Sequence, residues 1–193
     1  MGHDFDPQWL LTAKQQELQA KLIDLCATVL RPKAIASDRN LVYPRQNFKA
    51  LASIGLLGLL VPQEWGGLGE NHSCAAMVVE TIARYGCPST AICYTMQLGA
   101  VAGTLFRAHD NPEIQQLLQR LDKDVLIGTL SYSDPETGSH FWYPVSSKAE
   151  QTADGWQVFK KASWTTSAGF ADWYIVQTTS PDLLAIMPTF PAF

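Results

Sequence analysis

A chain of 193 residues has room for one large domain or two small ones, and at 47% hydrophobic against 17% charged it is too apolar to be disordered. Its net charge of −4, from 14 Lys+Arg against 18 Asp+Glu, offers no basic field for a nucleic-acid backbone. Cys26, Cys74, Cys87 and Cys93 form no CxxC pair and have no metal-like spacing with the histidines. Buried thiols are therefore expected rather than a disulfide scaffold or a zinc site.

The N-terminal Met1-Gly2-His3-Asp4-Phe5-Asp6 is acidic where a secretory signal would be basic and then apolar. From Gln8 to Leu30, apolar residues at Leu10, Leu11, Leu18, Leu22, Leu25, Val29 and Leu30 predict a helix that Arg31-Pro32 ends or kinks. Pro44 is suited to open the next helix, which carries Phe48, Leu51, Ala52 and Ile54 on one face and has Gly55 as its C-terminal cap. The apolar run Ile54–Val61 stops at Pro62, and the glycines of Gln63-Glu64-Trp65-Gly66-Gly67-Leu68-Gly69 make a loop.

Helical spacing resumes from Ser73 to Tyr85, and Gly86 ends that helix. A further helix runs from Pro88 to about Ala108. No charge occurs between Arg84 and Arg107, but Pro88, Ser89, Thr90, Thr95, Gln97 and Thr104 interrupt the apolar run. A helix buried on nearly all sides fits it better than a membrane span. Asn111-Pro112 is an N-cap and first-turn pair for a short helix with Ile114, Leu117, Leu118 and Leu121. The expected protein is soluble and cytoplasmic, with neither nucleic acid nor membrane as partner.

After Asp124 the period shortens. Val125–Tyr132 and Val145–Gln151 read as strands, Asp154-Gly155 as a hairpin turn, and Trp173–Thr179 and Leu183–Met187 as further strands. The fold class is α+β: an all-helical domain over residues 1–124, then an antiparallel, truncated β domain over residues 125–193. So small a sheet leaves edges unpaired, which points to a covering tail, another subunit or a truncated product, truncation being preferred.

Neither GxGxxG nor a P-loop is present, and the scattered histidines give no catalytic or metal constellation. Two hydroxyl-rich segments remain, Leu130–His140 and Lys160–Asp172. They offer small donors beside backbone amides, and Trp164 offers a flat face for a heterocycle. As bare pattern, Trp and Thr in strands also serve packing alone.

Three segments in order carry a resemblance to the acyl-CoA dehydrogenase superfamily over essentially the whole chain. Ile54–Gly69 is similar to the family's "lGllgl.vPeeyGGlG", Leu130–His140 lies where it has "lTEPgaGSD", and Lys161–Asp172 resembles "K.WITna..AD". The resemblance implies an FAD-binding oxidoreductase with a helical domain, a middle β domain and a C-terminal four-helix domain, the last absent here.

It further implies that Leu130, Tyr132, Ser133, Gly138, Ser139, Trp164, Thr165 and Thr166 contact the cofactor. In that correspondence Ser133 bonds the flavin ring, Trp164 lies against it, and Thr166 bonds its N5 side. Ser139 would touch the pyrophosphate or the acyl-CoA substrate. No catalytic residue is assigned, since Glu64, Glu80 and Glu136 match no catalytic position and read as surface charges.

The implied reaction is FAD-dependent oxidation of an acyl thioester, with the isolated chain inactive for want of the C-terminal domain. An acyl-CoA oxidase or flavin-dependent monooxygenase is the alternative on the same scaffold, and a non-enzymatic remnant or interaction module is another. Departures from the family pattern are Asp134, Glu136-Thr137 and His140, and Glu136 would place a carboxylate near a pyrophosphate. The electron acceptor is not indicated, and association into a homo-oligomer is expected.

Overall fold

The computed structural model describes residues 11–137 and 146–179. The chain divides into two compact units. A helical unit takes residues up to Thr129 together with Thr166–Trp173, and a β unit takes Leu130–Thr165 and the chain from Tyr174.

The helical unit begins with α1 (Ala13–Leu25), whose N-terminus carries a capping box: Thr12 Oγ1 accepts from the Gln15 amide, and the Gln15 side chain accepts from the Thr12 amide. Pro32 does not end the helix. A π turn over Cys26–Leu30, closed by Arg31 N–H to Cys26 O, leads directly into α2 (Arg31–Arg39). Proline has no N–H to donate and its ring crowds the carbonyl four residues back, so a wider turn ahead of it removes both conflicts.

α3 (Arg45–Ala52) starts one residue after Pro44. Its end is a Schellman closure: Leu56 N–H returns to Leu51 O, Gly55 N–H returns to Ala52 O, and Gly55 takes φ +79°. Leu51 and Leu56, the hydrophobic pair that accompanies such a closure, are both fully buried.

Ile54–Val61 forms no regular element, yet Leu56, Leu57, Leu59, Leu60 and Val61 are buried. Buried backbone polar groups need partners, and other elements supply them here. Asp122 accepts from the Leu57 and Gly58 amides, both at 2.9 Å. Tyr94 Oη donates to Leu56 O at 2.6 Å and Gln97 Nε2 to Leu57 O at 3.3 Å. The following turn folds back, with Leu68 N–H on Gly58 O and Gly69 N–H on Val61 O. A Cβ on Gly67 would run into Val61 O and Gly58 O, so the backbones approach there as only glycine allows.

α4 (His72–Thr81) is capped by Asn71 and runs into a second π turn, Ile82–Gly86. α5 (Pro88–Ala108) has the predicted bounds and buries Thr90, Ala91, Cys93, Tyr94, Gln97, Leu98, Ala100, Val101, Thr104 and Ala108. The helix expected after Asn111 is divided at Arg120 into α6 (Pro112–Gln119) and α7 (Leu121–Asp124). All four cysteines are buried and free. No helix among the described residues is long and apolar enough to cross a membrane.

The strand expected over Val125–Tyr132 shrinks to β1 (Gly128–Ser131). Val125 takes φ 55° as the C-cap of α7, and Leu126 N–H closes onto Leu121 O, so the chain is still leaving the helix at that point. β2 (Lys148–Thr152) and β3 (Gly155–Phe159) form an antiparallel hairpin from Lys148↔Phe159 to Thr152↔Gly155. Its two-residue loop is Ala153-Asp154, one residue ahead of the predicted Asp154-Gly155. β4 (Trp173–Val176) pairs with β1, and an isolated parallel bridge joins Lys148 to Thr179. The architecture is α+β, helices first and strands after. The strand predicted over Leu183–Met187 lies outside the described residues.

Candidate functional site

Within the β unit, Leu130 and Tyr132 flank Ser131 at the end of β1 and are half-buried. Ser131 Oγ lies 3.2 Å from Thr165 Oγ1. Ser133 is engaged twice with one residue: its hydroxyl donates to Trp164 O and accepts from the Trp164 amide, both at 3.0 Å. The backbone of Trp164 is therefore fixed on both sides while its side chain stands free, the residue being 83% exposed. Ser133 commits its proton to the Trp164 carbonyl and so holds that backbone in place.

A buried carboxylate organises the approach to this shelf. Asp134 accepts from the Glu136 amide (3.0 Å), the Ser146 amide (2.9 Å) and the Ser146 hydroxyl (2.7 Å). Burial pushes its pKa up, but the Ser146 and Glu136 hydrogen bonds and the charge of Lys160 outweigh that and hold it below its ordinary value. Lys160 donates to Tyr132 O at 3.1 Å. Burial lowers its pKa, against the opposing pull of Asp134. In the sequence Asp134 reads only as a departure within a motif. Its part in closing the loop is hinted at by Asp-Pro, which favours turn initiation. Glu136, the carboxylate expected near a pyrophosphate, is exposed. Glu64 and Glu80 are exposed too, Glu80 pairing with Arg84 one helical turn on.

Thr166 belongs to the helical unit, where its carbonyl accepts from Thr129 Oγ1. Gly138 and Ser139, with His140 beside them, lie outside the described residues. Among the expected residues the structure thus brings together Ser133, Trp164 and Thr165 around Ser131, with Leu130 and Tyr132 on the adjoining strand.

The site thus offers an exposed indole on a fixed backbone with neutral hydroxyls beside it. Two buried polar atoms of the β unit, Ser147 Oγ and Gln177 Oε1, have no hydrogen-bond partner among the described residues. No group of three or more His, Cys, Asp or Glu among the described residues could hold a metal ion.

The sequence matches the family model described as "Acyl-CoA dehydrogenase, N-terminal domain" over residues 12–121. A probable acyl-CoA dehydrogenase of Bacillus subtilis is 27% identical over 166 residues, 86% of this chain and 43% of that protein. A 3-sulfinopropanoyl-CoA desulfinase of Paraburkholderia xenovorans is also 27% identical, over 86% of this chain and 42% of its own length. Among solved structures, butyryl-CoA dehydrogenase from Megasphaera elsdenii superposes with a TM-score of 0.74 at 22% identity, over 90% of this chain and 45% of that one. The glutaryl-coenzyme A dehydrogenase–glutaryl-CoA complex gives 0.75 at 24%, over 90% and 43%. The chain spans less than half the length of these relatives. With a family match covering more than half of its residues and the helical order of that fold, the chain belongs to the acyl-CoA dehydrogenase family through its N-terminal domain.

Proposed function

We propose that this chain is the front part of an FAD-dependent enzyme acting on acyl thioesters, with residues 1–124 as the helical domain and 125–193 as part of the middle β domain. The observation that carries this reading is Trp164, exposed on a backbone that Ser133 holds at both N–H and C=O. An exposed aromatic face on a fixed backbone offers a stacking surface, for which a flat polarisable ring system is a natural occupant.

In this reading Trp164 stacks on the isoalloxazine, while Thr165 and Thr166 face its polar edge. Leu130 and Tyr132 line the ring, and Gly138 and Ser139 meet the pyrophosphate or the acyl-CoA. Bound FAD would supply hydride-accepting capacity, and the chain's own residues bind and orient it. The dehydrogenase would also need a base at the substrate α-carbon. The described carboxylates Glu64, Glu80 and Glu136 are exposed surface groups, so the chain by itself is proposed to bind FAD without desaturating a substrate.

The relatives favour the substrate class over the reaction. A dehydrogenase and a desulfinase stand at the same 27% identity, and what their names share is a CoA thioester. Self-association and a cytoplasmic location complete the proposal. Titrating the purified chain into FAD tests it: quenching of flavin fluorescence and a shifted visible spectrum are expected. Unquenched FAD at saturating protein would overturn the reading.

A further inference from the structure

Within the β unit, the stretch Tyr132–Asp134 is held from both strands at the open end of the β2–β3 hairpin. The last ladder pair at that end is Lys148↔Phe159. Two residues before Lys148, Ser146 donates its amide and hydroxyl protons to the Asp134 carboxylate at 2.9 and 2.7 Å. One residue after Phe159, Lys160 Nζ donates to Tyr132 O at 3.1 Å. Between these two ties sits Ser133, whose hydroxyl accepts from the Trp164 amide and donates to the Trp164 carbonyl. Three consecutive residues are thus anchored, through a carbonyl, a hydroxyl and a carboxylate in turn.

Two details separate Lys160 from an ordinary surface lysine. The hairpin and β1 belong to different two-stranded sheets, so among the described residues no strand ladder links β3 to the chain leaving β1, and the Lys160 side chain makes the link instead. Lys160 is also half-buried where its neighbour Lys161 is exposed. Burial works against its charge, and the Asp134 carboxylate works for it. An ammonium kept partly out of water, with a carbonyl to donate to and a carboxylate to balance it, is committed inside the protein.

We infer that Lys160 is a positioning residue for the cofactor: from the end of β3 it fixes the Tyr132 carbonyl, and so steadies the Ser133 hydroxyl on which the Trp164 backbone rests. The inference rests on the flavin reading above and deepens it by one residue. Lys160 acts through Trp164, so its loss should matter to FAD only while the indole is present.

The test uses the full chain. Lys160→Met keeps the apolar stem of the side chain and deletes the cationic donor. It is made both in wild type and in Trp164→Ala. Hydrogen exchange of the Trp164 amide in the unliganded chain is the first readout. Loss of the Lys160 hydrogen bond, discounted for its partial exposure, predicts about five- to tenfold faster exchange. FAD titration is the second. A shelf that is competent only about a fifth of the time raises Kd about fivefold. In the Trp164→Ala background the same substitution should change Kd by less than about twofold, since the residue it acts through is gone. Lys160→Gln, shorter and neutral, is read by the same criteria and carries the test if the methionine variant does not fold.

Unchanged exchange, an unchanged Kd, or an equal rise of Kd in both backgrounds overturns the inference and leaves the flavin reading standing, provided wild type binds FAD. An equal rise would mean that Lys160 meets the cofactor by itself. A wild-type chain that leaves FAD unquenched overturns both.

Discussion

Replacing Trp164 by alanine separates a binding role from a structural one, because the two roles predict opposite pairs of results. The residue is 83% exposed, and its fixed contacts, to Ser133, are made by its backbone N–H and C=O, which alanine retains. Surface substitutions of this kind stay within about 0.5 kcal/mol of neutral, so the urea midpoint should barely move. If the indole stacks on FAD, its loss should weaken binding by about 1–3 kcal/mol, the range measured for an aromatic side chain under a heterocycle. That is roughly a 5- to 150-fold rise in Kd. The assay is fluorescence titration of FAD with the full chain, alongside urea unfolding of the same preparations. Trp156→Ala is the control, being an exposed tryptophan on the β3 hairpin strand outside the proposed site, and its Kd should match wild type. A Trp164→Ala chain that binds FAD as wild type does refutes the stacking argument. One that unfolds several kcal/mol earlier refutes the premise that the indole is free.

Three further outcomes follow from the packing. Asp122→Ala strips the acceptor from the Leu57 and Gly58 amides, each worth about 1–3 kcal/mol when left unpaired, so urea unfolding should show a loss of about 2–6 kcal/mol. A loss below about 0.5 kcal/mol would mean that water replaces the carboxylate there. Burial pushes the Glu70 carboxyl up, but Gln15 Nε2 at 2.7 Å and Lys14 Nζ at 3.1 Å, with Cys74, hold it below its ordinary 4.5. A lowered folded pKa contributes stability that is complete above the unfolded value and lost as pH falls through the folded one. Wild type should therefore lose stability below pH 4.5 more steeply than Glu70→Gln, and parallel pH curves would refute the assignment. Gly67→Ala drives a methyl into Val61 O and Gly58 O, and thermal unfolding should show a loss of about 3 kcal/mol or more; a near-native midpoint would show that the turn can open.

Periodicity and caps placed most of the helical unit. The bounds of α5, the Asn111 cap and the Gly55 closure all follow from local chemistry that a few neighbouring residues express on their own. Two of the three family-like segments coincide with the hydroxyl-rich stretches Leu130–His140 and Lys160–Asp172. What local chemistry could not carry was any decision between distant parts. Pro32 reads as a stop or a kink, and a widened turn carried the helix through it, because the face bearing Leu22, Cys26 and Leu30 is fully buried and continuing it keeps that surface from water. Val125 has the composition of a strand, but closure of α7 took it first. The exposure of Trp164, the inward turn of Asp134, and the grip of Tyr43 and Arg45 on residues 167–172 join groups separated by 12 to 127 positions in the chain. No window of sequence contains both partners of such a contact; only the folded chain brings the donor to its acceptor.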